Sequence, residues 1–185
     1  MALRPLKIAL TGSIACGKSL FAKFLRELGV QTLDADDIVH ELIPAEERRR
    51  LAPIVFADPV ARKALEARIH PLVRERYDAW FASQPSQTSQ TPILKLAIIP
   101  LLFECNWDAD YDIIICISSP AEEQIRRMVE TRGLTRKAAE ARLSAQLPVS
   151  EKAARSHYVV VNDSTVEHLR EEAVRCVEWL RSRQS

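Results

Sequence analysis

Short apolar runs alternate with segments of helical periodicity along most of the chain. Strands are predicted at residues 6–10, 30–33, 93–99, 112–118 and 158–161. The runs at 93–99 and 112–118 are mostly apolar and rich in isoleucine, which is typical of strands covered on both faces. Strands that alternate with helices in this way predict a three-layer, doubly wound α/β fold, in which helices flank a parallel sheet.

Helical segments fill the stretches between these strands. One is predicted over 18–28 with Gly29 as its C-terminal stop, and two more over 120–131 and 135–147. A closing helix is marked by an apolar stripe of Val166, Leu169, Ala173, Cys176, Val177 and Leu180. Periodicity across 38–81 is also helical, with an apolar face of Leu65, Ile69, Leu72, Val73, Tyr77, Trp80 and Phe81.

Four prolines are expected to cut the helical stretch at 38–81 into pieces. They are Pro44, Pro53, Pro59 and Pro71. A polar, low-complexity segment follows at 83–92, where nothing apolar is available for burial. A solvated, mobile loop is expected there.

Composition and charge narrow the class of protein. The 185 residues fit one domain, and 26 basic against 25 acidic residues give a net charge of +1. This balance indicates neither nucleic-acid nor membrane-surface binding, and no run approaches the ~20 apolar residues of a membrane span. The N-terminal residues lack a signal-peptide pattern, so a cytoplasmic protein is expected. The four cysteines lack C-x-x-C spacing, which favours buried free thiols over disulfides or a zinc site.

A glycine-bearing loop between the first strand and the first helix carries the clearest chemistry. It matches the pattern G-x-x-x-x-G-K-[ST] through Gly12, Gly17, Lys18 and Ser19. The glycines let backbone N–H groups turn towards an anion, and the dipole of the following helix favours negative charge. Lys18 is expected to reach the β- and γ-phosphates of ATP, and Ser19 to ligate Mg²⁺. The expected nucleotide-binding residues of this stretch are Gly12, Ser13, Ile14, Ala15, Cys16, Gly17, Lys18, Ser19 and Leu20.

The sequence lacks the motifs that mark two other classes of P-loop protein. A GTPase would carry an N-K-x-D guanine motif, and the chain has none. A motor-type ATPase would carry Asp-Glu at the end of an apolar strand. Here the run at 93–99 continues into Pro-Leu-Leu-Phe-Glu, and the run at 112–118 ends without an acid. Mg²⁺ is therefore expected to rely on Ser19, phosphate oxygens, water and at most a carboxylate from elsewhere.

Asp34 and Asp36 follow the second predicted strand. The carboxyl ends of strands in an open α/β sheet face the ligand crevice, so both carboxylates are candidates for a kinase site. Asp36 suits the base or positioning group at the acceptor hydroxyl, and the arginines between 126 and 155 suit the charge over the phosphoryl group. The alternative is a helix N-cap followed by acids in the first turn, and the residues alone leave both interpretations open.

The chain resembles the dephospho-CoA kinase family through motifs that run in family order over nearly its whole length. Besides the phosphate loop, they lie at 34–36, 38, 40–42, 55–59, 65–66, 69–72, 100–104, 124–128, 141–142, 145–148, 152 and 161–162. The resemblance implies a P-loop kinase that uses ATP to phosphorylate the 3′-hydroxyl of dephospho-CoA, the final step of coenzyme A synthesis. It also implies a single domain with a helical acceptor-binding part near 38–82 and a lid near 126–155.

The resemblance further implies roles for single residues. Asp36 is the expected base towards the ribose 3′-hydroxyl, Lys18 a catalytic cation, and Arg142 the lid arginine over the ATP phosphates. Asn162 is expected beside the nucleotide base. Substrate contacts are expected from Asp34, His70, Leu101 and Glu104. For His70, which precedes a proline, a structural histidine at a kink is an equal alternative.

The chain departs from the family pattern, and its shortened acceptor region is the feature that favours another function. Between Leu42 and Leu51 the chain is shorter than the family, which allows a P-loop kinase for another small hydroxyl compound. A nucleotide-binding regulator without turnover is the third hypothesis, and a retained base and lid arginine argue against it. The family's Arg-Asp-Gly is Thr131-Arg132-Gly133 here, so the arginine role is not transferred to Arg132. Small-molecule substrates and a monomer or weak homo-oligomer are expected.

Overall fold

The computed structural model describes residues 6–83 and 93–183, so the polar segment at 84–92 lies outside the described residues. The strands are β1 (Ile8–Thr11), β2 (Gln31–Asp34), β3 (Lys95–Ile98), β4 (Ile113–Ser118) and β5 (Tyr158–Val161). The helices are α1 (Lys18–Glu27), α2 (Ala35–Leu42), α3 (Ala45–Ala57), α4 (Pro59–Ala82), α5 (Ala121–Arg132), α6 (Arg136–Ser144), α7 (Val149–Ala154) and α8 (Val166–Arg181). A single turn of 3₁₀-helix covers Asp108–Asp110.

Within the described ranges, five strands form one sheet in the order β2-β3-β1-β4-β5. β1 runs parallel to β3 and β4, and β4 runs parallel to β5. Leu10 of the central strand is in register with Ile98 on one side and Ile115 on the other. β3 is buried along its whole length and β4 over all but its last residue, as strands covered on both faces must be. The predicted parallel sheet flanked by helices is therefore confirmed.

The main core lies between the sheet and the helices α1 and α8. Phe21, Phe24 and Leu25 of α1 are buried in it, and the predicted stripe of α8 is buried from Leu169 to Leu180. Val166 was expected in that stripe, but its side chain is 53% exposed. It is the first residue of α8, directly after the N-cap residue Thr165, and it lies before the part of the helix that covers the sheet.

The described chain divides into two compact units. One comprises Met1–Thr32 with Thr88–Ser185, and the other Leu33–Gln87. In the second unit, α4 packs against α2 and α3. An exposed ion pair of 2.8 Å joins Arg76 of α4 to Glu41 of α2.

Two of the four prolines at 38–81 do not interrupt a helix. Pro44 and Pro59 separate the helices as predicted, but Pro53 lies inside α3 and Pro71 inside α4. A proline inside a helix removes one backbone hydrogen bond and crowds the preceding turn. In α4 that cost is offset by tertiary packing, because Val73, Tyr77 and Phe81 are all buried beyond the proline.

The apolar face predicted for α4 is narrower than expected. Val73, Tyr77 and Phe81 follow one another at four-residue steps and share the buried side of the helix. Leu72 was expected on this side but is 45% exposed, since one residue along a helix turns the side chain by about 100°. No helix in the described part of the chain is long and apolar enough to cross a membrane.

The helices around 120–147 begin and end close to the predicted break. α5 ends at Arg132, where Gly133 adopts a left-handed conformation with φ 63°. α6 begins after Thr135, whose hydroxyl accepts the Ala138 N–H as a helix cap. The prediction that this helix continues to residue 147 is wrong, because α6 ends at Ser144 and the chain then turns into the short helix α7. Sequence periodicity missed α7, which has only 6 residues.

Candidate active site

The phosphate loop leaves the carboxyl end of the central strand β1. Its backbone has positive φ at Gly12 (142°), Ala15 (57°) and Gly17 (101°). A Cβ at Gly12 would lie 2.4 Å from the Ile117 carbonyl oxygen, and one at Gly17 would lie 2.2 Å from Asn162 Nδ2. Both glycines are thus required by conformation and by close neighbours. The loop conformation is the kind that turns several backbone N–H groups to one side.

The start of α1 is open for an anion. Its N-cap residue is Gly17, and no side chain caps the first turn. The first N–H groups of a helix need an external acceptor, and the helix dipole makes a phosphate a favourable one. Ser19 is exposed in this turn and Leu20 is half-buried, so the Ser19 hydroxyl is accessible at the mouth of the loop.

Lys18 folds back over the loop that precedes it. Its Nζ donates hydrogen bonds to the carbonyl oxygens of Gly12 and Ser13, at 2.7 and 2.8 Å. The Ser13 hydroxyl is buried and has no hydrogen-bond partner among the described residues. A cation, an uncapped helix and an unpaired buried hydroxyl therefore surround the same loop. This donor set fits the oxygens of a nucleotide phosphate chain.

Asn162 is tied into the back of the phosphate loop. Its Nδ2 donates to the Cys16 carbonyl at 2.9 Å, and its backbone N–H donates to Ser118 at the end of β4 at 2.7 Å. Its own carbonyl accepts from the Ser119 hydroxyl at 2.8 Å and from Arg127 at 3.1 Å. The structure therefore brings the two predicted nucleotide-binding elements, the loop and Asn162, together.

Arg127 is a loop contact that sequence reasoning did not single out. Besides Asn162, its guanidinium donates to the Ala15 carbonyl and to the Ser119 hydroxyl, each at 3.3 Å. Arg127 thus links α5 to the outer turn of the loop. The available signal was its position in the family-like run 124–128.

Glu104 is held from two sides. Its Oε1 accepts the Leu147 N–H at 3.0 Å and pairs with Lys152 Nζ at 2.7 Å. Lys152 is 0% exposed and also donates to the Pro100 carbonyl at 2.9 Å. Glu104 Oε2 is buried and has no partner in the part of the chain that is described. Leu101, in the same loop after β3, is exposed.

We expect the substitution Lys152→Ala to destabilise the protein by about 3 kcal/mol. It removes the ion-pair partner of a carboxylate that is itself just 22% exposed, so Glu104 is left largely buried and charged. The free energy of unfolding in a denaturant titration measures the loss. Lys137→Ala, at an exposed position of α6, is the matched control and should change little. Equal losses at the two positions would contradict the buried-pair interpretation.

Apart from Arg127, the arginines between 126 and 155 divide into two groups. Arg126, Arg136 and Arg155 are taken up by exposed ion pairs with glutamates or an aspartate. Arg142 on α6 and Arg132 at the end of α5 are exposed, and no ion pair engages either of them within the described chain. The neighbouring Thr131 has no charge to offer, and its hydroxyl donates to the Arg127 carbonyl at 2.6 Å.

The second unit places Asp34 and Asp36 at the start of α2. Asp34 is the N-cap residue, and its Oδ1 accepts the Asp36 N–H at 3.0 Å. The N-cap interpretation is therefore confirmed for Asp34. Asp36 is exposed in the first turn, and no hydrogen bond or ion pair engages its carboxylate among the described residues. His70 is half-buried inside α4, directly before Pro71.

The cysteines are free thiols, as predicted. Cys16, Cys116 and Cys176 are buried and Cys105 is half-buried. Burial raises the pKa of Cys116 to about 12, with the neighbouring Cys16 as a second cause, and burial also raises the pKa of Cys176 to about 12. Both thiols stay protonated at neutral pH. Among the described residues, no group of three or more His, Cys, Asp or Glu side chains could hold a metal ion.

Comparisons with known proteins agree on one family. A family model described as dephospho-CoA kinase matches residues 6–47 and 45–168. A dephospho-CoA kinase from Symbiobacterium thermophilum is 36% identical, over 88% of this chain and 76% of the relative. A dephospho-CoA kinase from Thermus thermophilus is 35% identical, over 95% of this chain and 92% of the relative. The solved dephospho-CoA kinase from Campylobacter jejuni has a TM-score of 0.69 at 25% identity and covers 97% of this chain and 98% of that chain.

The matched segments contain the residues described above. The first includes the phosphate loop and Asp36, and the second includes Arg142 and Asn162. They meet at residues 45–47, in the stretch that was expected to be shorter than in the family, and α3 follows α2 there after only Ile43 and Pro44. With most of its length matched and relatives above 30% identity, the chain belongs to the dephospho-CoA kinase family.

Proposed function

We propose that this chain transfers the γ-phosphoryl group of ATP to the 3′-hydroxyl of dephospho-CoA, which gives ADP and coenzyme A. The relatives from Symbiobacterium thermophilum and Thermus thermophilus and the solved structure from Campylobacter jejuni are dephospho-CoA kinases. The observation that carries the proposal is the phosphate loop, which combines the Lys18 cation, an uncapped helix start and a buried Ser13 hydroxyl without a described hydrogen-bond partner. Such a donor set stabilises charge on a phosphoryl group as it is transferred.

The phosphate loop binds the nucleotide in this proposal. Backbone N–H groups of the loop and of the first turn of α1 hold the phosphates, and Lys18 leaves its carbonyl partners to contact the β- and γ-phosphates. Asn162, fixed behind the loop, lies beside the nucleotide base. The exposed Ser19 hydroxyl would hold Mg²⁺ together with phosphate oxygens and water, and the ion would supply neutralisation of phosphate charge.

Asp36 is the proposed base. Its carboxylate is exposed and unengaged, whereas the neighbouring Asp34 carboxylate is occupied as the helix cap. Asp36 is therefore available to orient the ribose 3′-hydroxyl and to accept its proton, while Asp34 fixes the start of the helix that carries it. Further acceptor contacts are proposed for His70, Leu101 and Glu104, the last through its unpaired Oε2. Helices in 38–82 form the acceptor-binding part, and 126–155 the lid.

The test is ATP turnover by the purified protein with and without dephospho-CoA. We expect ADP formation that depends on dephospho-CoA, and coenzyme A as the product identified by mass spectrometry. Turnover that responds only to another hydroxyl compound would indicate that the shortened stretch at 43–51 has changed the acceptor. ATP binding without turnover in the presence of any acceptor would indicate a regulator. Either result would overturn the proposal.

Arg142 and Arg132 give a matched pair for the lid. We expect Arg142→Ala to lower kcat about a hundredfold, since an arginine over the transferring phosphoryl group stabilises transition-state charge. Arg132→Ala should lower it by less than threefold, because this exposed side chain stands one position away from the family's arginine. Steady-state kinetics with saturating ATP and dephospho-CoA measure both. A larger loss at Arg132 would show that the arginine has moved by one residue to compensate for Thr131.

A further inference from the structure

Gln146 makes a contact with the phosphate loop that neither the sequence motifs nor the proposed catalytic set explains. Its Oε1 accepts the backbone N–H of Ile14 at 2.8 Å. Ile14 is the third residue of the loop, and the two partners are 132 positions apart in sequence. The bond fixes the direction of one peptide in a loop whose function depends on the directions of its peptides.

Gln146 is joined rigidly to α6. Its own N–H donates to the Leu143 carbonyl at 3.2 Å, and the Ala145 N–H donates to the Ala141 carbonyl at 3.2 Å, so the two residues after α6 are hydrogen-bonded to its last turn. Arg142 lies one turn earlier on the same helix. Any shift of Gln146 relative to the loop therefore shifts the end of α6 that carries Arg142.

Leu147, the residue after Gln146, is held by a different part of the chain. The Leu147 N–H donates to Glu104, and Glu104 is held by the fully buried Lys152. Lys152 in turn contacts the Pro100 carbonyl, which also accepts the hydroxyl of Thr11, the residue directly before the phosphate loop. The segment after α6 is thus anchored both at the tip of the loop and near its base.

An apolar cluster adds contacts between the helices α5 and α6 and the phosphate loop, but it does not fix the alignment of α6 against the loop. Ile125 and Met128 of α5 and Ala139 of α6 are buried together, with Ile14, Ala15, Leu134 and Leu143 packed around them. Apolar contacts are non-directional and tolerate small sliding motions. The hydrogen bond from Ile14 to Gln146 is directional, so it sets the alignment of α6 against the loop.

We propose that Gln146 is a positioning residue for phosphoryl transfer, which aligns the Arg142-bearing end of α6 with the phosphate loop through its bond to Ile14. This inference rests on the proposed kinase function. It assigns Gln146 no contact with the reacting atoms. Its effect on turnover passes through Arg142, whereas a hydrogen bond that only stabilised the fold would affect turnover independently of Arg142.

The variant that tests this is Gln146→Met, which keeps the length of the side chain and removes the acceptor. We expect kcat to fall roughly five- to tenfold, the value of one hydrogen bond used in the transition state, with the KM for dephospho-CoA unchanged. In the Arg142→Ala background the same substitution should cost less than twofold, because the residue through which it acts is absent. The same fold loss in both backgrounds would overturn the proposal.

Amide exchange gives a readout that does not depend on turnover. In the protein without nucleotide, exchange of the Ile14 amide measured by NMR should speed up in Gln146→Met and stay slow in Gln146→Glu, which keeps an acceptor oxygen. Gln31→Met, at an exposed position of β2, is the matched control and should change neither exchange nor kcat. Unchanged Ile14 exchange in Gln146→Met would overturn the proposal. Wild-type protein that forms no coenzyme A would instead refute the proposed function, and the exchange result would still stand.

Discussion

Lys18→Ala is expected to abolish most phosphoryl transfer while the protein stays folded. An ammonium group at the transferring phosphates stabilises charge that develops in the transition state, and the loss of one such group costs about 10²- to 10³-fold in kcat. The side chain contributes little to the fold, because the described partners of its Nζ, the carbonyl oxygens of Gly12 and Ser13 and the Cys16 sulfur, all lie in its own loop. Turnover, ATP affinity and the melting temperature of the variant measure the three effects.

Lys23→Ala is the matched control for this prediction. Lys23 is exposed on the same helix α1, one turn and a half beyond Lys18, so the substitution removes the same charge away from the loop. We expect its turnover to stay within about twofold of wild type, as for most surface substitutions. Near-normal transfer by Lys18→Ala would refute the kinase function for this loop. A large fall in melting temperature would show that the loss of activity has a structural cause.

The phosphate loop and the parallel sheet could be predicted because their signals are local. Gly12 and Gly17 mark positive φ values that few other residues adopt, and the structure has φ of 142° and 101° there. The isoleucine-rich runs became the buried strands β3 and β4, since a strand covered on both faces needs mostly apolar side chains; Lys95 of β3 is the charged exception. In these elements the neighbouring residues decide the conformation.

Helix boundaries were less predictable where tertiary packing outweighs a local rule. Pro71 should end a helix by local criteria, yet α4 runs through it from Pro59 to Ala82. The burial of Val73, Tyr77 and Phe81 beyond the proline depends on partners elsewhere in the chain. A single sequence gives the cost of the proline but not the packing energy that offsets it.

The polar contacts around the site could not be predicted from pattern. Arg127, Gln146 and Lys152 contact residues that are 112, 132 and 52 positions away in the sequence. A polar side chain can serve as a surface residue, a cap or a buried partner, and only the fold decides which. The family-like motifs marked the positions of all three residues without indicating that they support the loop.

Pairing among the arginines narrows the choice of lid residue beyond what the sequence allowed. Sequence analysis pointed to a stretch that contains several arginines, and the ion pairs of Arg126, Arg136 and Arg155 occupy three of them. Arg127 donates a hydrogen bond to the Ala15 carbonyl in the phosphate loop. Arg142 and Arg132 remain as the exposed, unpaired guanidinium groups in the described residues of the proposed lid, which is why their comparison tests the lid assignment directly.

Asp36→Asn is expected to lower turnover about 10²- to 10⁴-fold, or about 3–5 kcal/mol of barrier, with ATP affinity close to wild type. The acceptor hydroxyl is a weak nucleophile, and the amide keeps the size and hydrogen bonding of the carboxylate but cannot accept a proton. The structure removes an ambiguity that the sequence left in this test, namely which aspartate caps the helix. Asp34, and not Asp36, caps α2, so the cap survives the substitution.

Asp37→Asn is the matched control, because Asp37 is the other exposed acid in the first turn of α2. Both substitutions remove one negative charge beside the same helix N-terminus, so they should lower the melting temperature by similar, small amounts. Only Asp36→Asn should lose turnover if the carboxylate is the base. If Asp36 and Asp37 only stabilise the start of α2, both variants should keep their activity. A fully active, normally stable Asp36→Asn, or an equal loss of turnover in Asp37→Asn, would end the general-base assignment.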